Sequence, residues 1–259
     1  MKKTLIALAV AASAAVSGSA MAWTANGTGG SVDLGGTLTP VTKATPWEVK
    51  VGDAVTGLDG QIQKGQKEIS ISVKNAIPVL GIRNADENGF KGQTGIKPQI
   101  DYKGAVKIDD FQNGTTKVYM KVRNEAGGII GSLEAPFSAA ALSSWNNNGS
   151  KQSRALYASS GEYSFYGGLG KNSGAVRTSG SYQLISGLSS EFIEKWKQQG
   201  NYDSTSANEQ FASTSATYWG AYGSGIEKGQ TIKITLEEAA SGDAPIKWKA
   251  SLPITVTYM

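Results

Sequence analysis

The sequence predicts an all-β fold, an antiparallel β-sandwich, on three observations. Apolar and polar residues alternate in several short runs, which is the period of half-buried strands. Clusters of Gly, Asn and Pro separate these runs, as expected for strands joined by turns. The composition, with 33 Gly, 39% apolar and 18% charged residues, is typical of a folded protein. Alternation of this kind favours an antiparallel sheet with one solvated face over a parallel α/β sheet.

The first 22 residues have the pattern of a secretory signal. Two lysines precede an apolar run from Leu5 to Val16, and Ala20-Met21-Ala22 fits the A-x-A cleavage pattern. We therefore predict that residues 1–22 are a signal peptide and that Trp23 begins an exported chain. No later apolar run approaches the ~20 residues that a membrane-spanning helix requires.

The composition also excludes several classes of function. The 259 residues include no Cys and no His, which removes disulfides, thiolate metal sites and the histidine base of most serine triads. Without the two signal lysines, 23 basic residues face 21 acidic ones. This balance predicts no nucleic-acid partner. We expect a protein that is not an enzyme and that uses no cofactor or metal.

Four alternating runs are the clearest predicted strands, and they are centred on Val49, Ile71, Met120 and Ile234. One helix is predicted over Ser189 to Gly200. Serine can cap its start, acidic residues suit its first turn, lysines suit its last turn, and the glycine ends it. The residues expected on its buried face are Leu188, Phe192, Ile193 and Trp196.

The alternation weakens between Pro136 and about Tyr222, where Ser, Asn, Gly and Tyr dominate. We interpret residues 137–222 as an inserted mixed subdomain that carries short strands and the helix. Its aromatic residues are predicted to form a satellite core: Trp145, Tyr157, Tyr163, Phe165, Tyr166, Tyr182, Trp196, Phe211, Tyr218 and Trp219.

Both ends of the exported chain read as strands. Near the start, Val32, Leu34, Gly36 and Leu38 share one face, and the C-terminal run alternates from Ile246 to Tyr258. A final strand beside an open edge would expose unpaired backbone groups and an apolar slot, which the leading segment of another copy could fill. The alternative is that both ends are ordinary edge strands of a self-contained sandwich.

Five segments carry a resemblance to a known family. They are Gly30 to Thr39, Trp47 to Gly52, Phe165 to Leu169, Gly229 to Ile232, and Leu252 to Tyr258. In these segments the sequence resembles the FaeG-like (kappa-class) adhesive pilins, which are major fimbrial subunits of Gram-negative chaperone–usher systems. The resemblance covers essentially the whole exported chain.

The resemblance implies an incomplete immunoglobulin-like β-sandwich that lacks its last strand. Residues 23–41 would be the donor-strand extension and residues 42–259 the pilin domain. The donor residues would be Val32, Leu34, Gly36 and Leu38, and Ile254, Val256 and Tyr258 would face the acceptor groove or the chaperone. The implied partners are other copies of the chain, a periplasmic chaperone and an outer-membrane usher. The implied location is a cell-surface fimbrium reached through the periplasm.

Such subunits also bind host glycans, so the resemblance implies galactose- or N-acetylgalactosamine-type ligands at the inserted subdomain. The candidate glycan-binding residues are Tyr157, Ser159, Glu162 and Tyr163, with Tyr102 and Lys171 at the rim. Aromatic rings suit the C–H face of a sugar and polar groups suit its hydroxyls.

Three alternatives stay open. The first is that Tyr157 and Tyr163, the two candidate tyrosines of the loop, only pack the subdomain core. The second is that the chain is a purely structural shaft pilin without lectin activity. The third is that it is an exported carbohydrate-active enzyme, which needs two carboxylates converging in one cleft.

Overall fold

The computed structural model describes residues 25, 26, 28, 32, 34–39 and 44–259. Contacts between Cα atoms divide the chain into two units, Met1–Lys43 and Ala44–Met259. The predicted signal peptide, residues 1–22, lies outside the described residues. The strands of the larger unit are β1 (Trp47–Val51), β2 (Glu68–Ser72), β3 (Ile77–Asn84), β4 (Phe90–Lys91), β5 (Pro98–Asp101), β6 (Thr115–Arg123), β7 (Ile129–Asn147), β8 (Ser150–Ala155), β9 (Asn201–Tyr202), β10 (Thr217–Ile226), β11 (Thr231–Leu236), β12 (Lys249–Ala250) and β13 (Thr255–Tyr258).

These strands confirm the predicted all-β sandwich with a short helix. Eleven strands form one sheet whose main path runs β1-β3-β10-β7-β11-β2, and β13 pairs with β5 in a second, two-stranded sheet. All pairings between the strands are antiparallel except the short β8–β9 contact. The four runs predicted as strands from alternation correspond to β1, β2, β6 and β11.

The long strand β7 connects the sandwich with residues 137–222, the predicted inserted subdomain. Near its start it pairs with β6 and β11, and from Ser138 onward it pairs with β10. Its last residues, Leu142 to Asn147, also pair with β8. Residues 137–222 therefore share a continuous sheet with the rest of the unit.

Buried side chains form two clusters. The larger lies within the sandwich and contains Leu80, Ile82, Phe137 and Tyr222, each fully buried. The smaller lies under the helix and contains, among others, Leu184, Ile185, Leu188, Trp196 and Trp219. The aromatic residues of 137–222 are divided between the two clusters, since Phe165, Phe211 and Tyr218 belong to the larger one.

The predicted position of the helix is wrong. The α-helix is α1 (Ser181–Leu188), and only a short 3-10 turn, Ser190–Phe192, lies in the segment predicted to be helical. Ser189 has extended backbone angles, φ −160° and ψ 129°, which end the helix. The four residues predicted for its apolar face are nevertheless buried.

The C-terminal run keeps its predicted alternation but does not form one strand. From Trp248 to Tyr258, half-buried residues alternate with exposed ones. Backbone pairing is interrupted, because β12 pairs with β6 and β13 pairs with β5. Pro253 lies in the gap and has no N–H to donate to a neighbouring strand.

Among the described residues, no helix is both long enough and apolar enough to cross a membrane.

Candidate functional site

The larger unit contains an open apolar groove with a volume of about 1250 Å³. One wall is the segment from Val51 to Lys64, which follows β1, and the other is the C-terminal segment from Ala240 to Ile254. Apolar side chains of the sandwich core form its floor: Ile69, Ile71, Val79, Val118, Met120, Leu133, Phe137, Ile226, Ile232, Ile234 and Leu236.

The two walls have unpaired backbones. Within the described part of the chain, residues 53–62 and 241–248 make no backbone–backbone hydrogen bond. The groove is closed at one end, where Gly65 N–H donates to the Ala240 carbonyl and Ala240 N–H donates to the Gln66 carbonyl, both at 2.8 Å. An ion pair between Lys64 and Asp243 joins the walls beside that closure. Between the ends, the backbones of both walls are free to pair with an added strand.

The walls carry apolar side chains that nothing in the described chain covers fully. Val51, Val55 and Ile246 are each more than 40% exposed. Leu58 and Ile62 are half-buried and contact the main core from one wall, as Trp248, Leu252 and Ile254 do from the other. Exposed apolar side chains in a continuous concave surface are typical of a binding site.

The three C-terminal residues named for the acceptor groove are placed differently from one another. Ile254 lines the groove. Val256 and Tyr258 lie beyond it on β13, paired with Ile100 and Pro98 of β5, and both are half-buried against the core. Burial also raises the pKa of the Tyr258 hydroxyl.

The predicted donor residues are exposed. Val32, Leu34 and Leu38 have 84%, 94% and 96% of their surfaces exposed, and residues 34–39 form no regular secondary structure. A Cβ atom added at Gly36 would meet no atom within 4 Å. In this structure, the described part of the segment is thus an apolar stretch whose side chains are not packed.

The candidate glycan-binding loop lies on the surface against residues 207–210. The Ser159 N–H donates to the Asn208 side-chain oxygen at 3.0 Å, and the Gln210 amide donates to the Glu162 carbonyl at 3.2 Å. Ser159 and Glu162 are exposed, whereas Tyr157 and Tyr163 are half-buried.

One backbone contact brings the rim candidate Lys171 to this loop. The Ala158 N–H donates to the Gly170 carbonyl at 3.1 Å. Tyr157 and Ser159 flank Ala158 in the chain, and Lys171 follows Gly170. The Lys171 ammonium pairs with Asp109 at 2.6 Å, and this hydrogen-bonded pair raises its pKa. The Lys171 ammonium is therefore engaged by Asp109.

Tyr102 is separate from that surface. It is 3% exposed, and its hydroxyl lies 2.8 Å from both the Tyr222 hydroxyl and the Ser224 hydroxyl. Burial raises the pKa of Tyr102 to about 12. The ring packs edge-on against Phe137 in the core, so this side chain offers almost no surface to a sugar.

Sequence reasoning missed the first wall of the groove. Leu58 and Ile62 lie on it at the period of a strand, with Gly60 between them. A Cβ atom at Gly60 would lie 2.6 Å from the Ile69 side chain, so the wall approaches β2 closely there. That spacing was the available signal, but the surrounding Gly and Asp residues resemble a turn.

Comparison with known proteins identifies the family. The family described as "Fimbrial, major and minor subunit", of the K88 type, matches residues 1–259. The chain belongs to the K88 fimbrial family. It is 34% identical to K88 fimbrial protein AB and 31% identical to K88 fimbrial protein AD, both from Escherichia coli, over the full length of each chain. It is also 30% identical to the Escherichia coli F41 fimbrial protein, again at full length.

This membership confirms the resemblance inferred from the five sequence segments. The chain is a fimbrial subunit of the K88/F41 type, and a subunit of this kind belongs to a surface fimbrium built from repeated copies. The names of the relatives describe fimbrial proteins, and none of them describes an enzyme.

Proposed function

We propose that this K88-family subunit polymerises by donor-strand exchange, in which residues 23–41 of one copy fill the groove of the next. The single observation that supports this most strongly is the pair of unpaired backbone walls flanking an apolar trough of about 1250 Å³. An added strand would satisfy the free N–H and C=O groups of both walls. It would also cover the apolar floor.

The N-terminal segment has the chemistry of such a strand. Val32, Leu34 and Leu38 are separated by two and then four residues. Because both spacings are even, an extended conformation directs the three side chains to one side. Burying one Val or Leu side chain contributes about 1.5–3 kcal/mol, so the three together contribute roughly 5–9 kcal/mol before backbone pairing. A glycine at position 36 would allow the two backbones to approach each other closely.

A deletion tests the mechanism. A chain that lacks residues 23–39 but keeps its signal peptide should be exported and held as a monomer by its periplasmic chaperone, because its own groove is intact and it has no strand to donate. Pull-down of the chaperone complex and electron microscopy of the cell surface would measure this. Fibres assembled from the truncated chain alone would refute donor-strand exchange.

We further propose that the assembled fimbrium binds host glycans of the galactose or N-acetylgalactosamine type through the loop from Tyr157 to Tyr163. Its support is a surface on which Ser159 and Glu162 are exposed and Tyr157 and Tyr163 are half-buried, with Tyr163 packed against the main core. Lys171, whose ammonium pairs with Asp109, follows Gly170, which accepts a hydrogen bond from the Ala158 N–H of this loop. This combination suits sugar hydroxyls and C–H faces.

One variant distinguishes this proposal from the alternative, a purely structural shaft pilin. Fibres with Tyr157→Ala should assemble normally and lose binding to galactose-coated surfaces, because the ring supplies the apolar contact. Normal binding by those fibres would remove this tyrosine from the site. Absence of binding by wild-type fibres to any glycan would favour the shaft pilin.

A further inference from the structure

Strand β5 lies between the final strand of the chain and the residues that end the loop from Tyr157 to Tyr163. On one edge it pairs with β13, where Val256 is opposite Ile100. On the other edge, the Phe165 N–H donates to the Pro98 carbonyl at 2.6 Å. The Ile100 N–H donates to the Tyr166 carbonyl at 2.8 Å on the same edge. Since neighbouring strands are about 4.8 Å apart, roughly 10 Å separates β13 from the end of the loop.

The same β13 continues one wall of the groove. Ile254 lines the groove and directly precedes Thr255, where β13 begins. The pairing with β5 extends to the end of the chain, because Lys97 and Met259 exchange two backbone hydrogen bonds, both at 3.1 Å. A strand added to the groove would pair with the backbone of this wall and restrict its movement. That restriction would reach β5 through the hydrogen bonds from β13.

Side chains before and within β5 also contact the loop. Gln99 is 9% exposed, and its amide nitrogen donates to the Tyr163 carbonyl at 3.0 Å. The Lys97 ammonium lies 3.4 Å from the Glu162 carboxylate. A buried hydrogen bond to a backbone carbonyl fixes that part of the backbone more firmly than an exposed ion pair does. Gln99 is therefore the main side-chain restraint that β5 places on the loop.

Phe165, two residues after the loop, is held in a strained conformation. Its φ of 65° is in the left-handed region, which a bulky residue rarely adopts. The ring is fully buried, stacked on Tyr222 at 5.5 Å and edge-on to Trp47 at 5.7 Å. Such a conformation persists only where the surroundings impose it. Loosening of β5 would remove one of the restraints on Phe165, its hydrogen bond to Pro98, and would let the end of the loop relax.

We propose that β5 couples the groove to the loop, and that Gln99 is a positioning residue for the loop. With a donor strand in the groove, β13 and β5 are held together and the loop is fixed. With the groove empty, β13 and β5 loosen and the loop becomes mobile. A subunit in a fibre thus presents an ordered loop that an unassembled subunit lacks. This inference rests on the proposed donor-strand exchange and adds control of the proposed glycan site by assembly.

Hydrogen–deuterium exchange of purified fibres tests the coupling. Wild-type and Leu34→Ala fibres are compared at a temperature at which both stay assembled, because the weaker joint opens the groove more often. The peptides that carry the Phe165 and Ile100 amides should exchange about tenfold faster in Leu34→Ala fibres, a typical size for coupling between two sites. The amides of β8, which pairs with β7 and β9, should exchange at the wild-type rate.

Gln99→Met keeps the length of the side chain and removes its hydrogen-bond donor. In Gln99→Met fibres, the Phe165 amide should exchange fast whether or not Leu34→Ala is also present. A purely structural role for Gln99 would leave the dependence on Leu34→Ala in place, so the double variant separates the two roles. Gln183→Met, at an exposed glutamine on α1, is the matched control and should keep that dependence. Electron microscopy confirms that each variant fibre is intact.

Equal exchange at Phe165 and Ile100 in wild-type and Leu34→Ala fibres would overturn the coupling. Equally faster exchange in β8 would show general loosening and would overturn it too. This comparison changes no residue of β5, so it decides the matter even if Gln99→Met fibres do not assemble. The coupling stands without glycan binding, since the exchange measurement requires no ligand. If Leu34→Ala fibres dissociate at the wild-type temperature, donor-strand exchange is contradicted and the coupling is rejected with it.

Discussion

At the scale of single residues, a buried ion pair ties residues 137–222 to the sandwich. Arg177 forms two hydrogen bonds with the Glu227 carboxylate, at 2.8 and 2.9 Å. Ser138 donates a third at 2.6 Å. The bonds from Arg177, with that from Ser138, lower the pKa of Glu227. Bidentate pairing of this kind is stronger than a typical surface ion pair, because both partners are about three-quarters buried.

Glu227→Gln should therefore destabilise the protein in a pH-dependent way. A carboxyl whose pKa is lowered by folding contributes stability above its unfolded pKa of about 4.3, and that contribution is lost as the pH falls through the folded value. We expect a loss of about 1–3 kcal/mol at pH 7 and little difference from wild type at pH 2–3. Thermal unfolding of fibres followed by circular dichroism across this range would measure it.

The matched control is Glu238→Gln, at an exposed glutamate without a hydrogen bond in the described chain. It should leave the transition temperature unchanged at every pH. Equal transition temperatures for Glu227→Gln and wild type at pH 7 would show that the pair with Arg177 does not stabilise the fold.

At the scale of elements, tertiary contacts decided where helix could form. In the segment predicted to be helical, the Arg83 guanidinium donates to the Glu191 carbonyl, the Asn84 amide to the Lys195 carbonyl and the Ser144 hydroxyl to the Lys197 carbonyl. The first two of these carbonyls would be acceptors inside a helix that ends at Gly200, and the third lies in its last turn. Strands β3 and β7 use them instead, so the apolar positions are buried by a compact turn.

The alternating N-terminal segment is the donor strand that we propose, and its two faces predict opposite effects of substitution. Leu34→Asp would place a charge against the apolar floor of the groove, and a buried unpaired charge is strongly destabilising. We expect Leu34→Asp subunits to assemble no fibres. Fibre yield by electron microscopy and by sedimentation measures this.

Thr37→Asp is the matched control, because Thr37 lies on the opposite face of the alternation. Its fibres should form at close to wild-type yield. If both aspartate variants assemble equally well, the alternation does not define a donor strand.

At the scale of the whole molecule, the final strands each have one neighbour among the described residues. β12 pairs only with β6 and β13 pairs only with β5, and the wall between Asp53 and Ile62 has no partner. The core beneath the groove is therefore open in a single copy. A subunit with an occupied groove should be much more stable than one with an empty groove, because anything that binds only the folded state stabilises it.

Fibres should accordingly resist mild denaturation as a chain of subunits. In detergent without heating, we expect purified fimbriae to migrate as a ladder of multimers that collapses to the monomer on boiling. Electrophoresis after a temperature series measures the transition. Leu34→Ala should lower it, because the proposed joint would lose part of the roughly 1.5–3 kcal/mol that burial of a leucine side chain contributes. Migration as a monomer before heating would contradict this account.

Sequence patterns by themselves determined the all-β class, strands β1, β2, β6 and β11, and the burial of Phe192 and Trp196. Five segments carried the resemblance to the family that the comparisons confirm. Periodicity indicates which side chains face the core, and this pattern is carried by residues that are close together in the chain. The sequence did not determine the partner of each strand, the break at Pro253, the first wall of the groove or the burial of Tyr102. Those depend on hydrogen bonds and packing between residues far apart in the chain, such as Tyr102 with Tyr222, and only the tertiary structure brings such residues together.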